Sequence, residues 1–225
     1  MKNISVIVTC YNLEKYIDEC IDSVKQQIKQ PHEIIVVHDG CKEVAKTYTG
    51  VTSIICAKNQ GVSVARDMGF KVSTGNYILF LDADDVIPPN YLMQMSYTDA
   101  DVVYPNCVLW SGWGNSGKEN VWHEAPNKLH FKNQLVTNEV LMPSLFKREW
   151  YDKVGGFDHS LPIFEDYDFW LKIQDKGATF AKSCAFLMYR QRTLSRNHQD
   201  DAVKREFYQK ISEKFTLNDK KSSKV

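Results

Sequence analysis

Tyr77-Ile78-Leu79-Phe80-Leu81-Asp82-Ala83-Asp84-Asp85 decides how this chain is read. An unbroken apolar run ends in three carboxylates within four positions. Such a short run, closed by a polar turn, is the pattern of a strand buried on both faces. Working outward, Ile4-Ser5-Val6-Ile7-Val8-Thr9, Glu33 to Val37 and Val51 to Ala57 have the same character. Between the first two, Leu13, Tyr16, Ile17, Cys20, Ile21 and Val24 recur at helical spacing. Asn12 is placed to cap that helix and Pro31 to end it. A second helix is expected from Val62 to Val72, between Asn59-Gln60-Gly61 and Thr74-Gly75-Asn76. Strands alternating with helices predict an α/β fold with a parallel sheet covered on both faces.

In such sheets ligands bind beyond the carboxyl ends of the strands. Polar residues gather there: Thr9-Cys10-Tyr11-Asn12, His38-Asp39-Gly40 and Asp82 to Asp85. On an extended strand end, Asp82 and Asp84 share a face. Their charges repel unless something positive lies between them. A hard divalent cation, Mn2+ or Mg2+, bound to a diphosphate would serve. The competing reading is an acidic surface turn before Pro88-Pro89. Asp39 either accepts hydrogen bonds from a base or ribose or completes an Asp-Gly turn. Arg66, one turn into the second helix, either holds a diphosphate through charge-assisted bonds or lies on the surface.

The later part of the chain is less regular. Val102 to Leu109 reads as a strand, Ser111 to Gly117 as a loop around Trp113, and Lys147 to Val154 as a helix. Another helix runs from about Asp166 to Asp175, with Gly177 beyond it. Glu165-Asp166-Tyr167-Asp168 opens that helix, where acids complement the dipole. Beside a metal site, one of them would take the proton of an acceptor hydroxyl. Helical geometry sets Asp166 and Asp168 on different sides, and Asp168 leads into the packing run Phe169-Trp170-Leu171, while Glu165 sits just outside with a longer reach. Trp110, Trp113 and Trp122 either stack on sugar faces or pack in loops and core. Residues 201–225 read as an amphipathic helix followed by a flexible lysine- and serine-rich tail.

The 28 basic and 28 acidic residues give no net charge, so nothing in the total favours a polyanionic partner such as DNA. Cysteines at 10, 20, 41, 56, 107 and 184 form no CxxC pair, which suits free thiols in a reducing compartment. With no signal peptide and no apolar run long enough for a bilayer, a cytoplasmic protein is expected. Peripheral attachment to a membrane through the C-terminal helix stays open.

Five ordered blocks resemble the family 2 glycosyltransferases of the GT-A fold. They are Val6 to Asn12, Val36 to Gly40, Asn59 to Gly69, Leu81 to Asp85, and Gly155-Gly156-Phe157-Asp158 leading to Glu165-Asp166-Tyr167-Asp168-Phe169-Trp170. The resemblance implies a Rossmann-like nucleotide-binding half with a mainly parallel sheet, residues 1–85, fused to a smaller acceptor-binding half, residues 86–200. It implies that Thr9, Tyr11 and Asp39 hold base and ribose, and that Arg66 lies near base or diphosphate. Asp82 would contact ribose or donor sugar, Asp84 the metal, and Glu165 the acceptor or donor sugar. Asp166 would be the catalytic base of an inverting displacement. Trp113 is a further sugar-contact candidate, and His198 a further metal-ligand candidate. The implied partners are a nucleotide-diphosphate sugar, with a UDP-sugar favoured, and a hydroxyl acceptor such as a glycan or lipid-linked glycan; a nucleic-acid acceptor also stays open. The chain departs from the pattern at His38, Cys41 and Asp67. It lacks the QxxRW motif of processive synthases and carries Tyr189-Arg190-Gln191-Arg192 at a comparable place. A non-catalytic nucleotide-sugar-binding module is the main alternative. A sugar-1-phosphate nucleotidyltransferase fits less well, because Cys10 to Lys15 contains no glycine to cradle a triphosphate.

Overall fold

The computed structural model describes residues 2–41, 45–110, 120–192 and 201–222. Four short runs become strands β1 (Ile4–Cys10), β2 (Glu33–Asp39), β3 (Thr52–Cys56) and β4 (Tyr77–Asp82). They lie parallel in the order β3-β2-β1-β4. Helices α1 (Ile17–Lys25) and α2 (Val62–Val72) make the crossovers. Side chains alternate across β1. Val6 and Val8 join Ile17, Ile21 and Val24 of α1 in one core layer. Ile7 joins Ala65 and Phe70 of α2 in the other. At Gly69 a Cβ would stand 2.3 Å from the Ile7 side chain, so only glycine lets α2 lie this close to β1.

Beyond β4 the sheet turns mixed. After α3 (Tyr91–Ser96) come β5 (Val102–Trp110), β6 (Val121–His123), α4 (Phe131–Gln134) and β7 (Leu145–Lys147). Then follow α5 (Arg148–Val154), α6 (Glu165–Asp175), β8 (Phe180–Arg190) and α7 (Asp201–Ser222). β7 fills the gap between β4 and β5 and runs antiparallel to both. β8 lies parallel to β5 along nearly its whole length. A third apolar cluster joins Leu161, Tyr167 and Leu171 to Ile211 and Phe215 of α7. Among the described residues, no helix is long and apolar enough to cross a membrane.

Three local expectations are corrected. Asn12 does not cap α1: it takes a left-handed φ of 53°, a turn closes from Leu13 to Tyr16, and the helix begins at Ile17. Nor does Pro31 end α1, which stops at Lys25; beyond it the buried Gln27 side chain donates to the carbonyls of Ser23 and Pro88. Lys147 closes β7 instead of opening a helix, because it continues the pairing of β7 with Tyr77.

Candidate active site

Strand register assembles one end of the site. Thr9 is paired with Asp82 across β1 and β4, and Cys10 with His38 across β1 and β2. The Thr9 hydroxyl donates to Asp82 Oδ1 at 3.3 Å. Asp39 ends β2 and is buried. Its two carboxylate oxygens accept the Gln60 and Gly61 backbone N–H groups at 2.8 and 2.9 Å. It therefore anchors the loop that opens α2, a turn role that leaves lone pairs for further donors. Tyr11 stands exposed at the rim.

Arg66 is not a surface residue. It is 2% exposed, and its guanidinium bridges Glu165 (2.9 Å) and Asp82 (3.1 Å). The same guanidinium lies 5.5 Å from the centre of the Phe157 ring. A single cation thus ties the strand end at Asp82 to the acidic start of α6. That role was invisible in the sequence, where Arg66 and Glu165 stand far apart.

Beside this bridge, Asp166 is half-buried. Its Oδ2 accepts Asn138 Nδ2 at 3.0 Å, and its Oδ1 accepts the Tyr167 N–H. Burial, reinforced by the Glu165 charge, pushes its carboxyl up to about 7. Asp168 differs: it is fully buried and held by Lys172 at 2.8 Å and Lys214 of α7 at 3.0 Å. Phe164, just before α6, has a φ of 60°, uncommon for a residue with a side chain, and packs 4.3 Å from the Tyr208 ring of α7. The sequence could not announce these braces, since Asn138, Tyr208 and Lys214 stand in segments with no motif of their own.

The acidic turn is built differently from the expectation. β4 ends at Asp82, so strand alternation does not carry Asp84 onto the same face; Asp84 sits in a turn closed by Asp85 N–H to the Asp82 carbonyl. Even so, the charges remain neighbours. Burial and then the Asp82 charge raise the Asp84 carboxyl, while Arg192 opposes the shift. Burial and both aspartates hold Asp85 well above the usual carboxylate range. Two arginines from the end of β8 answer this charge. Arg192 Nε donates to Asp84 Oδ2, and Arg190 Nε donates to the Asp84 carbonyl at 2.8 Å. Arg190 also pairs with Glu19 and lies over the Trp110 ring at 4.2 Å. Trp113 and His198 fall outside the described residues.

These features fit a nucleotide-handling transferase, and comparison with known proteins gives the family. A sequence profile described as Glycosyl transferase family 2 matches residues 5–155. An uncharacterized glycosyltransferase of Haemophilus influenzae is 31% identical over 76% of this chain and 61% of its own length. The amylovoran biosynthesis glycosyltransferase AmsE of Erwinia amylovora is 27% identical over 82% of this chain and 74% of its own. In shape, the chain resembles S. aureus TarS 1-349 in complex with UDP-GlcNAc. That likeness has a TM-score of 0.69 at 21% identity, over 89% of this chain and 61% of that one. The fold is the GT-A fold, and the chain, with its carboxylates gathered at the strand ends of β2 and β4, belongs to glycosyl transferase family 2.

Proposed function

We propose that the protein moves one sugar from a nucleoside-diphosphate sugar, a UDP-sugar in the first instance, to an acceptor hydroxyl with inversion. The observation that carries this reading is the Asp82–Arg66–Glu165 bridge, with Asp166 beside it at a carboxyl raised to about 7. A base tuned near neutral pH is what an unactivated hydroxyl requires. The donor choice is supported by TarS, which is described in complex with UDP and with UDP-GlcNAc. AmsE, named for amylovoran biosynthesis, supports a glycan acceptor.

In the proposed step the acceptor oxygen attacks the anomeric carbon as its proton passes to Asp166 Oδ. The bond from that carbon to the diphosphate oxygen breaks, and the nucleoside diphosphate leaves with the electron pair. Thr9, Tyr11 and Asp39 would hold the nucleoside, and Asp82 the ribose or sugar. We read residues 1–85 as the donor half and 86–200 as the acceptor half. A divalent cation fits the acidic turn: Asp84 is a buried oxygen donor whose carboxylate pairs with Arg192. Asp84 would hold the cation, which when bound would neutralise charge on the departing diphosphate.

Thermal shift with a panel of nucleotide sugars, with and without Mn2+, tests the reading. A UDP-sugar should raise the melting temperature, since a ligand that binds only the folded state stabilises it. Its hydrolysis or transfer should require metal and be lost in Asp84→Ala. Full turnover in EDTA would remove the cation, and no response to any nucleotide sugar would remove the donor.

A further inference from the structure

Cys10, His38 and Cys41 present Sγ, an imidazole nitrogen and Sγ within 4.8 Å of one another. They meet because Cys10 and His38 are register partners at the ends of β1 and β2, and because the chain doubles back after His38. Gly40 makes that reversal with a φ of 72°; a Cβ there would stand 2.2 Å from the Asn59 backbone nitrogen. Cys41 Sγ thereby comes to 3.8 Å from Cys10 Sγ and 3.8 Å from His38 Nδ1. The other histidine nitrogen, Nε2, lies 3.0 Å from the Lys46 carbonyl, which can only accept. Nε2 therefore carries the proton, and the Nδ1 lone pair is turned toward Cys41. This outer hydrogen bond is the kind that fixes a ligating histidine. The Glu14 carboxylate is near enough to raise the Cys41 thiol, and among the described residues its Oε1 is buried without a hydrogen-bond partner.

We propose that Cys10, His38 and Cys41 form a zinc site, with Glu14 or a water as fourth ligand. Zinc bonds of about 2.3 Å to sulfur and about 2.0 Å to nitrogen at tetrahedral angles separate two sulfurs by about 3.8 Å and sulfur from nitrogen by about 3.5 Å. The two spacings from Cys41 Sγ, 3.8 Å to each partner, are close to these, and all three ligand atoms lie within 4.8 Å of one another. Two thiolates and an imidazole are a soft set that suits zinc, unlike the oxygen donors around Asp84. Binding takes the proton from each thiol and releases it to solvent. The half-buried Cys41 gives the ion a way in. The site goes beyond the transfer reaction: bound zinc would clamp the turn after β2 against β1, next to Asp39.

The test uses the full chain, purified reduced and stripped with EDTA, then titrated with Co2+ and displaced with Zn2+. Expected is a thiolate-to-cobalt charge-transfer absorption that saturates at one thiolate-bound metal per chain. Cys41→Ser and Cys10→Ser should lose that band, while Cys184→Ser, which alters an exposed cysteine, and Asp84→Ala should keep it. Should Cys10→Ser misfold by circular dichroism, Cys41→Ser at the half-buried position carries the test. No charge-transfer band in the folded wild type would overturn the proposal. So would a band retained in Cys41→Ser, or an intact mass showing a Cys10–Cys41 disulfide in the reduced preparation. Cobalt bound through sulfur by a chain that responds to no nucleotide sugar would leave this site standing while the transfer reading fell.

Discussion

The strand-end region around Thr9, Asp39 and Asp82 and the start of α6 around Glu165 and Asp166 are held in place by different physics. The first is fixed by ladder register: once β1 pairs with β2 and β4, Thr9 must face Asp82 and Cys10 must face His38. The second is fixed by contacts from afar. Arg66 comes from α2, Asn138 from the segment after α4, and Tyr208 and Lys214 from α7. A region set by register tolerates loss of one side chain. A region set by a few buried charges does not, because each charge left alone in the interior is costly.

The sharpest way to separate the regions is Asp166→Asn, which keeps the shape of the side chain and removes its basicity. Turnover should fall roughly 10²–10⁴-fold, the usual worth of a general base, with donor affinity by calorimetry nearly unchanged. The proposed base works as the carboxylate. With its pKa raised to about 7 by burial and Glu165, kcat/KM should decline as pH falls below that value, and the variant should lack this acidic limb. A variant within a few-fold of wild type would show that α6 supplies no base.

Arg66→Met should erase the distinction between the regions. It leaves Glu165 and Asp82 without their shared cation, and removing one partner of a buried pair costs about 3–5 kcal/mol. Urea unfolding reads that loss, and donor affinity and turnover should fall together. Stability within about 1 kcal/mol of wild type would mean the bridge does not hold the regions together.

The contrast also governs what could be read in advance. β1, α2 and β4 were legible because apolar runs and the turn residues around them are local signals; α2 spans Val62–Val72 in sequence and structure alike. β7 has only three residues, too few for any period to show. β8, with Ala181, Lys182, Ser183 and Cys184 in its first half, lacks a continuous apolar run, yet it carries Arg190 and leads to Arg192, which balance the acidic turn. The three clustered aspartates announced a need for positive charge; that an arginine from the far end of β8 meets it depends on topology. Likewise helical geometry separates Asp166 from Asp168 and the family resemblance points to Asp166, but its raised carboxyl depends on burial that no motif encodes.

The smallest expected effect comes from Lys214→Met, which removes one of the two cations on Asp168 and keeps Lys172. Stability should drop by about 1–2 kcal/mol, roughly 2–8 °C in melting temperature by differential scanning fluorimetry. Turnover should fall only a few-fold, and donor affinity should hold. Equal losses in affinity and turnover would show that α7 supports the strand ends as well as α6.

The bracing of α6 by α7 also sets an order in time. Synthesis proceeds at about 5–20 residues per second, so Lys214 leaves the ribosome roughly 7–26 s after Asp82. The strands that carry Thr9, Asp39 and Asp82 are therefore made well before the helix that braces the start of α6. A nascent chain passes through a stage with its strand-end register available and Glu165 and Asp166 unsupported, which ends when α7 closes over Phe164 and Asp168.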